Sequence, residues 1–537
     1  MALLEGGAHA RLQDRQRSGL DMLLRLAEPW LPPDEPDETP PQLDWRSGRW
    51  PLIVVLCVQA VLSARLIWAN TAFQDEGLYL WAGHLELSHL FNGTKIPAFG
   101  TYFSGAPVIY PPIAAFADSA GGLAAARLLS LLFMLGATAL LWGMTARLFG
   151  RRSAVLAAAL FALLGPTQLL GSLATYDAMA LFLMALAAWC AVRGRYNEDS
   201  AGWMFLSGTA LLLANITTYA TILYDPVVIV LAIMAARPAP GMRRALTRGG
   251  MILVHVTVAI VVLAAATGSE YRIGLSGTTL SRAQGVNSVL SVLMSAAQWI
   301  GLLTALALVG VMLSYFGRSR FLGRPTVPVL AAAVLLAPIE QARIHTLVSL
   351  DKHLDLGAWF AAAAAGFALS RLTRSRTRVA RAVVAASICA LLAVSAYLGA
   401  TQATVMANWP GSAALIAKLR PLTDNSGRFL AENPSVEEYY LPDTSWRQWS
   451  STTSITTPSG SIQNENGKLA SYINAIRIHY FSLIVMDFRN TPDLDARLIH
   501  EMRNERHYKL VATVPFGHGV AGDYQIWRWL KHPGTAK

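Results

Sequence analysis

Cysteine is scarce: Cys57, Cys190 and Cys389 are the only three in 537 residues, and each falls inside an apolar run. That excludes a disulfide framework and any CxxC metal site, and it leaves the redox compartment unread. Charge is scarce as well, at 14% of residues, where soluble domains carry roughly 25%. No period of about 20 to 50 residues recurs, which excludes a solenoid or propeller. A cleavable signal pattern is also missing, because a charge-rich stretch precedes the first apolar run, so residues 51–69 read as an uncleaved anchor.

What the chain has in abundance is apolar length. Hydrophobic residues make up 54% and the mean hydropathy is +0.40, which predicts a polytopic α-helical membrane protein. Apolar segments run at 51–69, 124–148, 154–170, 178–192, 203–220, 223–236, 251–267, 289–315, 327–339, 356–369 and 379–400. That is about eleven transmembrane helices, several shorter than the ~20 residues of a straight span and therefore needing tilt or wider boundaries. The net charge of +11 does not point to nucleic acid, because the excess sits in short Arg-bearing loops. With the N-terminus inside, the inner loops hold seventeen arginines, among them Arg151, Arg152, Arg243, Arg318 and Arg376. The outer loops hold only Lys95, Arg272, Arg282, Arg343 and Lys352. Cytoplasmic loops are the Lys- and Arg-rich ones, so a cytoplasmic N-terminus and an extracytoplasmic C-terminus follow.

The expected organisation is a cytoplasmic tail at 1–50, a membrane part at 51–400 with a long outer loop at 70–123, and an extracytoplasmic α/β domain at 401–537. Within the tail, residues 20–31 form an amphipathic candidate, and the Pro- and acid-rich residues 32–41 read as linker. In the last domain the pattern predicts strands at 428–430, 438–441, 481–488, 508–515 and 524–530, with helices at 411–419, 468–479 and 493–505.

Three polar groups fall on the expected outer face. Asp75 and Glu76 follow the first apolar segment, with Tyr79 one turn further along the same helix face. Two adjacent carboxylates at a membrane boundary cost desolvation energy unless something compensates them; the plain alternative is an acidic first turn of a solvated helix. Asp177 precedes an apolar run, where a helix cap is the competing reading. Arg343, His345, Lys352 and His353 gather between the ninth and tenth segments, where a solvated basic loop is the alternative. Carboxylates and cations on one face suit a transfer reaction with an anionic leaving group: a carboxylate accepts a proton from an attacking hydroxyl, and cations stabilise charge on a departing phosphate. Nucleotide sugars stay in the cytoplasm, so an outward sugar transferase needs a donor carried on a lipid, and polyprenyl phosphate is the natural carrier.

At these residues the chain resembles the GT-C membrane glycosyltransferases, in the branch of protein O-mannosyltransferases and lipid A aminoarabinose transferases, over residues 51–369. Asp75-Glu76 with Tyr79 resembles that family's acidic motif in the first outer loop. Tyr110-Pro111-Pro112 followed by Arg127-Leu128 resembles its Pro-Pro segment and the Arg opening the next span. Asp177 is similar to its second acidic position, and Lys352-His353 stands where the family often has Arg-Tyr, a departure from the pattern. The resemblance implies an inverting, metal-independent transfer of a sugar from a polyprenyl-phosphate-linked donor to an acceptor hydroxyl on a glycan, lipid or protein. Asp75 would be the general base, Glu76 would orient residues or hold helix geometry, Asp177 would position the acceptor or a basic neighbour, Arg127, Arg343, Lys352 and His353 would be the donor-phosphate ligands, and Tyr79, Tyr110, Pro111 and Pro112 substrate-positioning residues.

No cofactor is expected. Asp75 and Glu76 as a divalent-ion site is the alternative, but no His or third carboxylate stands at ligand spacing. Arg65 reads as snorkelling to the surface. Trp409, Trp446, Trp449, Trp527 and Trp529 suit either sugar stacking or core packing, and Asn92-Gly93-Thr94 matches a glycosylation sequon. The competing functional classes are a transporter or lipid flippase, whose ionisable residues would lie at mid-depth of several spans, and a non-catalytic polysaccharide-binding subunit, which would tolerate loss of Asp75.

Overall fold

The computed structural model describes residues 50–194, 200–235, 241–316, 325–373, 377–457, 460–463, 469–505 and 507–530. The expected tail elements at 20–31 and 32–41 lie outside these residues.

Lipid offers no hydrogen-bond partner to a backbone, so long apolar runs close their own bonds as helices. Eight helices among the described residues are long and apolar enough to cross a membrane: Trp50–Ile67, Tyr110–Phe149, Tyr176–Arg193, Ser200–Thr217, Gly241–Ala266, Val289–Tyr315, Thr326–Arg343 and Arg378–Met406. Several are apolar all round; Gly241–Ala266 leaves Leu253, Val254, Val258 and Val261 exposed, as a lipid-facing helix does. The other three expected segments take different forms. Residues 154–170 divide into Arg151–Ala162 and Gly165–Leu170, where Leu164 is extended and Pro166 opens the second piece because proline cannot continue the helical ladder. Residues 219–235 form a 3-10 turn, Tyr219–Tyr224, and the short helix Asp225–Ala235. Residues 356–369 sit inside Leu350–Leu372, whose first turn carries Asp351, Lys352 and His353 and whose remainder is buried almost throughout. The Trp359 indole there donates to the Ala137 carbonyl at 2.9 Å.

The expected outer loop at 70–123 is largely helical. Gln74–Asn92 is one helix, and residues 110–123 form the start of Tyr110–Phe149, which bends at Gly121 and Gly122, the latter at φ 66°. Pro111 and Pro112 occupy its first turn, where a missing N–H costs nothing. Gly83 makes the two helices close neighbours, since a Cβ there would stand 2.0 Å from the Pro111 carbonyl oxygen.

The C-terminal part is a small α/β unit. Strands β1 (Phe429–Ala431), β2 (Trp449–Ser450), β5 (Leu483–Met486), β6 (Tyr508–Pro515) and β7 (Asp523–Trp529) form a sheet ordered β2-β1-β5-β7-β6, and β3 (Ser454–Thr457) pairs with β4 (Gly460–Gln463) alone. Neighbours β2, β1 and β5 run parallel, while β7 runs antiparallel to β5 and β6. Alternation along β5 sends Leu483 and Val485 to one core, with Leu415 and Tyr524, and Ile484 and Met486 to the other, with Tyr472 and Leu498. Helices Ala413–Leu419, Leu469–Arg477 and Pro492–Asn504 lie near their expected places. The expected strand at 438–441 is instead part of the helix Ser435–Tyr440.

That helix is the docking element. Tyr439 packs against the apolar cluster that includes Tyr79 and Leu80 of Gln74–Asn92, and Gly77 lets the two helices approach, since a Cβ there would stand 2.8 Å from the Ser435 carbonyl oxygen. The Tyr440 hydroxyl accepts from Ala72 N at 2.9 Å, Trp409 Nε1 donates to Thr71 O at 3.1 Å, and Asn70 Nδ2 donates to Trp409 O at 2.7 Å. The soluble unit therefore grips residues 70–73, immediately before Asp75.

Candidate active site

The helix Gln74–Asn92 folds back on its own start at its third residue: Glu76 Oε2 accepts from Phe73 N at 2.8 Å. Both Glu76 oxygens are then fully used. Oε1 accepts from Arg127 Nε at 2.8 Å and from Ala174 N at 2.7 Å, and Oε2 accepts from Arg127 Nη2 at 2.7 Å. Arg127 is equally committed. Its Nη1 donates to Ile67 O and Asn70 O, and its Nη2 also donates to Thr71 O, so all five guanidinium N–H bonds end on protein. The pair is 1% and 0% exposed. No donor is left on Arg127 for a phosphate, and the expected ligand is instead the strut that holds the helix start against the chain around it.

Asp75, one residue earlier and about 100° round the helix, faces away from that strut. It lines a cavity of about 320 Å³ with Phe73, Gln74, Asp351, Lys352, Trp409 and Asn490. Lys352 Nζ donates to Asp75 Oδ2 and stands 3.9 Å from Asp177 Oδ2. Side-chain exposure orders the three: 27% for Asp75 against 6% for Asp177 and 7% for Lys352, so Asp75 is the one open to the cavity. Asp177 is in the first turn of Tyr176–Arg193, and the extended residue before that helix is Thr175. Ser349, at φ 63°, turns the chain into the helix that carries Lys352. Residues distant in sequence thus converge on one ammonium between two carboxylates.

The other expected residues surround this centre or stand off it. Tyr79 is buried, its ring 4.6 Å from that of Tyr176 and 6.5 Å from that of Tyr110. The Tyr110 hydroxyl is 3.3 Å from Ser130 Oγ. Tyr79, Tyr110 and Tyr176 belong to one apolar cluster, Pro111 and Pro112 stand in the helix start, and none of the five lines the cavity. Arg343 is an exposed surface pair with Glu340 at 2.6 Å and does not line the cavity. His353 faces Gln341, Nδ1 to Nε2 at 3.0 Å, beside the cavity wall. Arg65 bonds Ala400 O at 2.6 Å and Thr404 Oγ1 at 3.2 Å, clamping the first helix to the last. Among the indoles, Trp449 and Trp527 are buried in the two sheet cores, Trp446 donates to Lys95 O at 3.3 Å, and Trp409 alone lines the cavity.

Sequence reasoning did not reach Gln74, Asp351 or Asn490 as cavity residues. Asn490 comes from the loop after β5, and nothing local marks it. No three His, Cys, Asp or Glu side chains gather at ligand distance among the described residues. Glu76 cannot share an ion with Asp75, because both its oxygens are held by Arg127 and backbone N–H groups.

Residues 113–267 match the family described as dolichyl-phosphate-mannose-protein mannosyltransferase. No curated protein sequence matches significantly. Among solved structures, the chain is similar to ArnT from Cupriavidus metallidurans in the apo state, with TM-score 0.59 and 15% identity over 89% of this chain and 97% of that one. It is similar to the same protein bound to undecaprenyl phosphate, with TM-score 0.59 and 14% identity over 91% and 100%. It is also similar to the Archaeoglobus fulgidus oligosaccharyltransferase, with TM-score 0.53 and 13% identity over 88% and 72%. Arabinofuranosyltransferase AftD from Mycobacteria gives TM-score 0.54 and 17% identity over 90% of this chain and 40% of its own. Residues 113–267 are thus similar to the protein mannosyltransferase family, and the chain shares its fold with ArnT.

Proposed function

We propose that the chain transfers a sugar from a polyprenyl-phosphate-linked donor to an acceptor hydroxyl at the outer face of the membrane, with inversion at the anomeric carbon. The observation that carries this reading is the Asp75–Lys352 pair in an open cavity at the helix ends, with Asp177 on the other side of the ammonium. The solved neighbours support the donor class, one being ArnT bound to undecaprenyl phosphate and another the archaeal oligosaccharyltransferase AglB in complex with a dolichol-phosphate. The loop-charge asymmetry supports an N-inside, C-outside orientation, with the tail at 1–50 in the cytoplasm and the domain at 401–537 outside.

In the transfer, the acceptor oxygen attacks the anomeric carbon from the face opposite the phosphate, and Asp75 takes the hydroxyl proton as the new C–O bond forms. The bond between the anomeric carbon and the phosphate oxygen breaks, and its electron pair leaves with the polyprenyl phosphate. Lys352 exchanges its contact with Asp75 for the phosphate, which both stabilises the departing anion and releases the base. Asp177 holds the ammonium between the two positions. Arg343 and His353, both off the cavity wall, are assigned no contact with the phosphate. A transport path would need ionisable side chains at mid-depth of several spans, whereas this centre gathers at helix ends on one face.

The test is undecaprenyl phosphate binding by native mass spectrometry on the full chain, together with donor turnover. Lys352→Met should weaken the lipid phosphate at least tenfold, and Asp75→Asn should retain binding and lose turnover. Turnover by Asp75→Asn near the wild-type rate sinks the base assignment; equal lipid binding by Lys352→Met sinks the phosphate assignment.

A further inference from the structure

Behind the Asp75 cavity lies a second chamber of about 140 Å³. The two share Phe73, Gln74, Trp409 and Asn490, so a group held in the second faces Asp75 across the Gln74 and Asn490 side chains. The second chamber is walled mainly by the soluble unit and differs in chemistry from the first. It contains no lysine, and its polar groups alternate in character: Asn433 and Asn490 offer amides, Arg489 a guanidinium, and Glu437 and Asp487 carboxyls. Tyr524 and Trp409 add aromatic wall.

Two features mark the chamber as built to receive something. Ser412 lines it, is 2% exposed, and its Oγ has no hydrogen-bond partner among the described residues, so a buried hydroxyl awaits a partner whose absence costs free energy. The loop that brings Arg489 and Asn490 to the chamber is pinned from behind. Buried Glu432 accepts the backbone N–H of Asp487 at 2.8 Å, of Asn490 at 2.7 Å and of Thr491 at 3.1 Å, and Phe488 between them is held at φ 58°. A non-glycine residue at positive φ is strained and persists where the surroundings over-determine it. Both side chains on this pinned loop are left exposed, and Arg489 has no ion-pair partner among the described residues.

We propose that this chamber is the acceptor subsite and that the unit it takes is a neutral sugar ring of a glycan acceptor. The claim rests on the reading of Asp75 as base, which fixes where the attacking hydroxyl must arrive. A ring hydroxyl both donates and accepts, which suits alternating amide, carboxyl and hydroxyl partners, while its C–H face suits an aromatic wall. A phosphate or other anion does not suit it, with two carboxyls against one guanidinium. An extended peptide suits it less well, because the space is small, about 140 Å³. Burial pushes the Glu437 carboxyl up to about 7, and burial with a hydrogen bond to Glu432 pushes Asp487 up to about 8, so these surroundings disfavour a further buried negative charge.

Saturation-transfer NMR on the full chain in nanodiscs tests this, using the methyl glycosides of glucose, galactose and mannose as probes beside a serine-containing tetrapeptide. At least one glycoside should take up saturation, with affinity at least tenfold weaker in Arg489→Ala/Asn490→Ala and unchanged in Lys352→Met. Truncating these two side chains leaves the backbone bonds to Glu432 in place; Arg489→Gln, which keeps the polar reach and loses the charge, should weaken binding less. The proposal is overturned if no glycoside binds, if binding is equal in the double variant, or if only the peptide binds and is lost in that variant. Retained glycoside binding together with full turnover by Asp75→Asn would remove the base and leave the subsite standing.

Discussion

Arg127 and Glu76 meet in a two-point ion pair, 2.8 Å from Nε to Oε1 and 2.7 Å from Nη2 to Oε2, with neither side chain exposed to any extent that matters. Removing one partner of such a pair strands the other as a buried charge, which costs about 3–5 kcal/mol. Glu76→Gln and Arg127→Met should each lose that much in thermal unfolding of the detergent-solubilised chain. A double replacement by apolar residues often restores stability when the charges serve only each other. Here it should not, because the carbonyls of Ile67, Asn70 and Thr71 and the N–H groups of Phe73 and Ala174 would all lose partners. A double variant as stable as wild type would show that the strut is dispensable.

Asp75 and Lys352 separate two kinds of loss. General-base catalysis contributes about 10²- to 10⁴-fold, so Asp75→Asn should lower kcat by about that range with the KM for donor little changed. In the proposed transfer Lys352 acts on the ground-state phosphate as well as on the leaving group, so Lys352→Met should raise the donor KM and lower kcat together. Lys352→Arg keeps the charge in a bulkier fork that must fit between Asp75 and Asp177, and it should recover part of the binding. Steady-state kinetics with a synthetic polyprenyl-phosphate sugar decide the matter. A Lys352→Met enzyme with unaltered donor KM removes the phosphate contact.

What the sequence made legible follows from how strongly each feature is dictated by solvent. Lipid dictates helix wherever apolar residues run long, so the spans were readable, and their number blurred where Gly165-Pro166 broke one, Tyr219–Tyr224 shortened another and residues 356–369 joined the buried helix Leu350–Leu372. Strand alternation in β6 and β7 was readable because two cores claim opposite faces. Residues 438–441 misled because paired tyrosines favour strands, while their real partners are Asp118 and Ala72 in the outer loop. Residues 110–123 misled in the same way, since Pro111-Pro112 and Gly121-Gly122 are loop signals that here mark a helix start and a bend. The convergence of Asp75, Asp177 and Lys352 was legible as a shared face. Which cation reaches Asp75 was not, because Arg127 and Lys352 carry the same charge and differ only in how tertiary packing pairs them.

Gly77 and Gly202 should respond oppositely to alanine. Each lies in a helix, where alanine is favoured over glycine by about 0.8–1.0 kcal/mol in the interior. A Cβ on Gly202 meets nothing within 4 Å, so Gly202→Ala should be neutral to slightly stabilising. At Gly77 the Cβ would stand 2.8 Å from the Ser435 carbonyl oxygen, a backbone atom that cannot swing aside. Gly77→Ala should therefore loosen the docking helix Ser435–Tyr440, read as faster hydrogen exchange across that helix and easier proteolytic release of the soluble unit. Unchanged exchange there would mean that the interface is not held at this contact.

The carboxyl cluster under the chamber loop sets a pH dependence with a definite sign. Against the cost of burial, hydrogen bonds from the Asp487 and Asp495 carboxyls and from backbone N–H groups hold the Glu432 carboxyl well below its usual range, while burial, the hydrogen bond to Glu432 and its charge push Asp487 up to about 8 and Asp495 up to about 9. Between the ordinary aspartate pKa of about 3.9 and those raised values, the folded unit binds more protons than the unfolded chain, so its stability falls as pH rises and then levels off. Glu432 works the other way, its contribution being present above the usual glutamate range and lost as pH falls through its depressed value. Stability of the soluble unit should therefore peak in the mildly acidic range and decline toward pH 9. Asp495→Asn, which keeps the shape and removes one titration, should flatten the alkaline decline, and exchange rates at residues 487–491 measured at pH 5, 7 and 9 report it directly. A wild-type unit whose loop exchange, corrected for intrinsic rate, shows no rise between pH 5 and 9 would mean that the three carboxyls do not share protons in the folded state.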